Sequence, residues 1–208
     1  MSRRLQDLTI DTLDALPEPC RSCVFWEVAD APRGPAEGGT AAKEAWVQSM
    51  QLEWGAPGKV LVVDGVPAAY GVLAPGDQVA RARRLRQLPS EDALLLVTLW
   101  VAPPLRQAGL ARVLLQALLR ETHEHGSRAL EAYGARGGAA LGTCVVPEGF
   151  LLANGFTVLR DDVRFPLLRL DLRQTARWQE SVSHALDAVL GALPSRRRAP
   201  APARSTSV

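Results

Sequence analysis

The chain has 208 residues, 47% of them hydrophobic and 22% charged, the ordinary balance of a single folded domain. The formal net charge is +2, and Arg196, Arg197, Arg198 and Arg204 crowd the C-terminus, so the body is near neutral and a basic nucleic-acid-binding surface is not indicated. No stretch approaches the ~20 apolar residues of a membrane helix, and three cysteines make no paired disulfide framework, which points to a reduced, cytoplasmic setting.

In chain order, the opening MSRRLQDLTID meets Asp7 before any apolar run develops, so it does not read as a signal peptide. Residues 8–13 alternate as a short strand would. CRSCVFWE (20–27) follows Pro17 and Pro19 and predicts a short helix, and the Pro/Gly-rich residues 29–41 predict a loop. Trp46, Met50 and Trp54 are spaced along one face of a helix over Ala41 to Trp54. Val60 to Val63, Asp64-Gly65, then Val66 to Leu73 predict a hairpin, because Asp-Gly supplies the positive φ angles of a two-residue turn. Residues 74–90 are irregular and carry Arg81, Arg83, Arg84 and Arg86, read as a solvated loop in preference to an anion-steering lip.

Ala93 to Val101 is apolar apart from Thr98 and predicts a central strand covered on both faces. Gly109 to His125 predicts an amphipathic helix stopped by Gly126, with His123 and His125 at its solvent-facing end. A strand over Ala129 to Tyr133, a helix over Glu148 to Ala153 and a strand pair over 156–159 and 164–172 follow. Another amphipathic helix is expected over 175–193, then a disordered basic tail over 194–208. The chain is thus expected to be one domain over 1–193.

The chemistry concentrates in LLLVTLWVAPPLRQAGLARVLLQALL (94–119). A buried strand ends at Val101, two prolines break it, and Arg106-Gln107-Ala108-Gly109-Leu110-Ala111 opens a helix. The first amides of a helix lack partners within it and its dipole favours negative charge, so this is an anion site. Small residues at 108, 109 and 111 admit a diphosphate, and Arg106 adds a charge-assisted contact. The segment is neither a Walker loop nor a dinucleotide fingerprint.

It resembles the acyl-CoA signature of the GNAT superfamily, Gln/Arg-x-x-Gly-x-Gly/Ala, with Arg106, Gly109 and Ala111 at the defined positions. FLLANGFTVLRDD (150–162) resembles that superfamily's later Gly-Phe segment, and the likeness spans roughly residues 5 to 172. CRSCVFWE, EWGAPGKV and the run through EAYG are similar to an uncharacterised bacterial subgroup. The resemblance implies an α/β fold: a mixed central sheet, an N-terminal β-α-α, a hairpin and helices on both faces. It implies acetyl-CoA as co-substrate, with the backbone of Leu99, Trp100 and Val101 along the pantetheine arm and the amides of Gln107, Ala108, Gly109, Leu110 and Ala111 on the diphosphate. The implied function is N-acetyltransfer to a primary amine of a small molecule or protein; a non-catalytic acyl-CoA-binding or interaction module is the alternative. Neither a nucleic-acid nor a membrane partner is expected, and oligomeric state is left open.

Many members carry a tyrosine that protonates the leaving thiolate four residues before the Gly of the Gly-Phe pair; here that position is Leu151. Glu131 and Tyr133, two apart on one strand face, and Cys144 are the replacement candidates. Each has an alternative reading as a strand-surface polar residue or a packed cysteine. Trp26, Glu27 and Trp54 fall in the region that lines the acceptor pocket in the superfamily, although core packing is the better reading of the tryptophans. Cys20 and Cys23 form a CxxC without a second ligand pair, so no metal is expected.

Overall fold

The computed structural model describes residues 2–137 and 144–172. The helix expected over 175–193 and the tail over 194–208 lie outside the described residues. Among the described residues eight strands form one sheet: β1 (Arg3–Asp7), β2 (Gly58–Val63), β3 (Val66–Pro75), β4 (Ala93–Val101), β5 (Ala129–Ala135), β6 (Val146–Pro147), β7 (Thr157–Arg160) and β8 (Leu167–Asp171). Their order is β1-β2-β3-β4-β5-β8-β7, with β6 alongside β5. The β4–β5 and β5–β6 pairs are parallel and all others antiparallel. The helices are α1 (Ile10–Asp14), α2 (Gly39–Glu53), α3 (Leu110–Glu124) and α4 (Glu148–Ala153).

The hairpin forms as its turn chemistry predicts: Asp64 and Gly65 take φ of 49° and 85°, and Val63 pairs with Val66. The apolar run 93–101 is the central strand, and α3 follows it. Gly71 lets α3 lie close on β3, since a Cβ there would meet Leu118 at 2.5 Å.

Two expectations near the N-terminus are corrected. The opening strand is Arg3–Asp7, not 8–13, and residues 10–14 are helical. Thr9 and Thr12 close a capping box that starts α1, a local bond pattern that overrides the alternation. CRSCVFWE is a series of turns, not a helix. Its carbonyls bond outward: Cys20 O accepts from Lys43, Ser22 O from the Ala36 amide, and Phe25 O from the Arg81 side chain. Long-range partners have taken the acceptors that an i→i+4 ladder would use.

Each face of the sheet has its own core. One face packs Leu114, Leu115 and Leu118 of α3 and Leu151 of α4 against Leu73, Leu96 and Leu130. The other packs α1, residues 20–26 and α2 against Tyr70, Val97 and Tyr133. β4, carrying Leu96 toward one core and Val97 toward the other, is the common wall. Among the described residues no helix is long and apolar enough to cross a membrane.

Candidate active site

The site begins with a defect in the sheet. β4 and β5 pair only from Ala93↔Ala129 to Leu95↔Glu131 and then part, although β4 runs on to Val101 and β5 to Ala135. Against β3 the register slips between Val72↔Thr98 and Leu73↔Leu96, leaving Val97 as an extra residue. Such a bulge bends its strand, and this one sits two residues beyond the last β4–β5 pair. The short β6 joins β5 at Gly134 and Ala135, further along the gap. Leu99, Trp100 and Val101 pair with β3 on one edge, lack a β5 partner on the other, and are half-buried.

At the end of β4 the chain passes Pro103 and Pro104 and enters a turn in which Gln107 holds φ 65° and Gly109 φ 78°. Gly109 is the N-cap of α3, and no side chain caps the helix. Arg112 and Val113 bond back to Gly109 O, whereas no amide from Gln107 to Ala111 has a hydrogen-bond partner among the described residues. Space beside Gly109 is open: a Cβ there would meet nothing within 4 Å. Residues 106–109 are exposed, and Arg106 folds its Nε onto Val101 O at 3.2 Å. The first turn of α3 has no carboxylate. Five free amides, a helix dipole and a nearby guanidinium make a cradle for an anion.

The acid–base candidates stand in very different settings. Glu131 is 0% exposed; it accepts from Arg169 Nη1 at 3.0 Å and from the Ser90 amide at 2.9 Å. Arg169 also pairs with Asp92 at 2.9 Å and Asp171 at 2.8 Å, so Glu131 belongs to a network at the closed end of the gap. Tyr133 lies on the same face, two residues into the open part of the gap. Its hydroxyl donates to Gln87 O, and its ring stacks on Trp26 at 5.5 Å. Burial, and then the Glu131 charge, push its pKa up, so it holds its proton. Cys144 is bonded to Cys23 across 121 residues of sequence. In that disulfide it has no thiol to offer. Leu151 is 0% exposed in the α3-side core.

Sequence reasoning missed a buried polar cluster on the opposite face. Lys43 of α2 pairs with Glu27 at 3.1 Å and donates to Cys20 O at 3.3 Å, with both charged side chains almost fully enclosed. Cys20 and Tyr70 are buried in the same core, and burial raises the thiol pKa to about 11 and the phenol pKa as well. Tyr70 lies opposite Trp100 in the β3–β4 register, with the rings 6.0 Å apart. The available signal was Lys43 itself, which falls on the buried stripe with Val47 and Met50. Trp54 stacks on His125 at 4.1 Å, by the C-terminal end of α3 and not with Trp26. No group of three or more His, Cys, Asp or Glu is placed to hold a metal among the described residues.

A family model described as "Acetyltransferase (GNAT) family" matches residues 21–138, more than half of the chain. This chain belongs to the GNAT acetyltransferase family. Solved structures repeat the fold at low identity. PaiA N-acetyltransferase from Thermoplasma acidophilum, in complex with coenzyme A, is 15% identical with a TM-score of 0.55, covering 82% of this chain and 99% of its own. YncA from Salmonella typhimurium, with its cofactor acetyl-CoA, is 19% identical with a TM-score of 0.59, covering 85% and 97%. The GNAT-like decarboxylase GphF, in complex with isobutyryl-CoA, is 17% identical with a TM-score of 0.55, covering 82% and 100%. No curated protein matches the sequence. As a GNAT protein the chain is an acyl-CoA-dependent N-acyltransferase, and the gap between β4 and β5 lies largely within the matched segment.

Proposed function

We propose that the protein transfers an acetyl group from acetyl-CoA to a primary amine of a small molecule or a protein. The observation that carries this reading is the parted β4–β5 pair leading into five unpartnered amides, Gln107 to Ala111. The amides and Arg106 would hold the diphosphate. The unpaired edge of Leu99, Trp100 and Val101 would take the amide-bearing pantetheine arm as a strand takes its neighbour. The solved structures with coenzyme A, acetyl-CoA and isobutyryl-CoA support this ligand class.

In the reaction the amine nitrogen attacks the thioester carbon, the N–C bond forms, the C–S bond breaks, and the amine's proton leaves as the thiolate gains one. A thiol has a pKa of only about 8.5, so the leaving group asks little of a general acid. Holding amine and thioester together supplies much of the rate. Glu131 is assigned to structure by its ion pair, and Tyr133, which stands in the open gap, is the residue of the three best placed near an acceptor. Calorimetry with acetyl-CoA tests the site. Gly109→Glu should abolish binding, whereas Gly109→Ala, which shares the φ strain but adds no charge, should bind more tightly than the glutamate variant. Equal affinity in wild type and Gly109→Glu would sink the assignment. Thiol release across an amine panel tests transfer.

A second reading, an acyl-CoA-binding module without turnover, is favoured by one observation. Glu131, Tyr133 and Cys144 all have their reactive groups engaged, and Leu151 carries no proton to give. Absence of thiol release with intact acetyl-CoA affinity would select it.

A further inference from the structure

On the sheet face opposite α3 lies a cavity of about 290 Å³, near the lower limit of usual small-molecule pockets (~300–1,000 Å³). Its walls include Phe25, Trp26, Pro32, Arg33, Arg81 and Phe165, and no acidic residue lines it among the described residues. The loops that form it are fixed from within. Arg81 donates to Phe25 O and, at 2.5 Å, to Ala31 O, while its guanidinium lies 4.0 Å from the Phe25 ring centre. The cavity is therefore held open by a bonded strut.

Its polar inventory is one-sided. Trp26, 3% exposed, forms part of the cavity wall. Arg33 stacks 5.4 Å from the Phe165 ring centre and has no carboxylate partner among the described residues. Its neighbour Arg84 differs, being paired with Asp30 at 2.5 Å. Burial lowers the Arg81 pKa, Asp30 offsets part of that, and Arg33 and Arg84 add a smaller repulsion. Donors without acceptors select an anion; rings of Phe25, Trp26 and Phe165 select an apolar or flat body behind it.

The cavity also has a direction. Its Trp26 wall stacks on Tyr133, which stands on β5 just where β4 has parted from it. We propose that this cavity binds the carboxylate end of the amine acceptor, so that the substrate class is a small amine carrying a carboxylate on an apolar or aromatic body, as an amino acid does. This rests on the acetyl-transfer reading for the word acceptor, but the anion site stands on its own residues. Arg33 would bond the carboxylate, and the amine would lie toward the β4–β5 gap.

The test compares L-phenylalanine and L-leucine with phenethylamine and isopentylamine, which differ from them by the carboxylate alone. Calorimetry is run on the wild type and Arg33→Gln. Arg33 is exposed, so its variant should fold unchanged. The expected result is binding of at least one amino acid, weakened about tenfold or more by Arg33→Gln and by removal of the carboxylate. If neither amino acid binds, or each binds Arg33→Gln as well as wild type, or the decarboxylated amine binds equally, the proposal is overturned. Acetyl-CoA titrated into the same proteins separates the two readings. Carboxylate binding without acetyl-CoA binding sinks acetyl transfer and keeps the anion site, and the converse sinks the anion site alone.

Discussion

Replacing Glu131 by glutamine separates a structural carboxylate from a chemical one. The side chain is fully enclosed and bonded to Arg169 and the Ser90 amide. Breaking a buried pair by removing one partner costs about 3–5 kcal/mol when the other charge is stranded. Here Arg169 keeps Asp92 and Asp171, and glutamine retains both the volume and an acceptor. The loss should therefore fall to that of one charged hydrogen bond, about 1–3 kcal/mol. For a chain of this size that lowers the melting temperature by about 2–12 °C. Differential scanning calorimetry reads the shift, and kcat is measured well below it with an acceptor found in the amine panel. A structural Glu131 predicts kcat within about fivefold of wild type and an unchanged pH profile. Loss of about a hundredfold in kcat, of the order general-base removal produces, with the acid limb of the profile gone and the melting temperature unmoved, would refute the reasoning.

Leu151→Tyr should destabilise by about 1–3 kcal/mol through overpacking, without raising turnover. Leu151→Met should stay nearer wild type, and a rate gain with tyrosine at unchanged stability would show that this side chain reaches the gap. Arg136 bonds both Glu148 oxygens, at 2.6 and 2.8 Å, and these hydrogen bonds hold the Glu148 carboxyl below its usual range. A depressed carboxylate stabilises above its unfolded pKa of about 4.3, and the contribution is lost as pH falls through the lower folded value. Arg136→Gln should therefore lower the urea midpoint at neutral pH and converge on wild type as acid protonates Glu148; a gap that stays constant with pH would contradict this.

The parts of the fold written in local chemistry were legible. Asp64-Gly65 dictates a turn, the 93–101 run can only be buried, and Gly109 with α3 behind it announces a free helix start. What escaped was set by partners far along the chain. Nothing near residue 25 hints that Arg81 will take its carbonyl, and so the expected helix there is a chain of turns. Cys23 and Cys144 cannot be matched by spacing. Glu131 and Tyr133 were rightly placed on one face, but their engagement depends on Arg169 and Gln87, which sequence does not bring near. The gap opens beside a one-residue bulge at Val97 inside a mostly apolar string, where composition carries no mark of it.

The division of labour across β4 has a bearing on how such a protein can change. The turn at 106–111 and the packing beneath it belong to one side of the sheet, while the cavity walls are loop residues on the other. Loops tolerate substitution better than the elements they join. Residues such as Arg33, Leu85 and Phe165 can therefore be exchanged with little disturbance to the amide cradle. A lineage could drift to new clients while its grip on a common donor stays constant, and a designer could redirect the same scaffold by recoding a handful of loop positions.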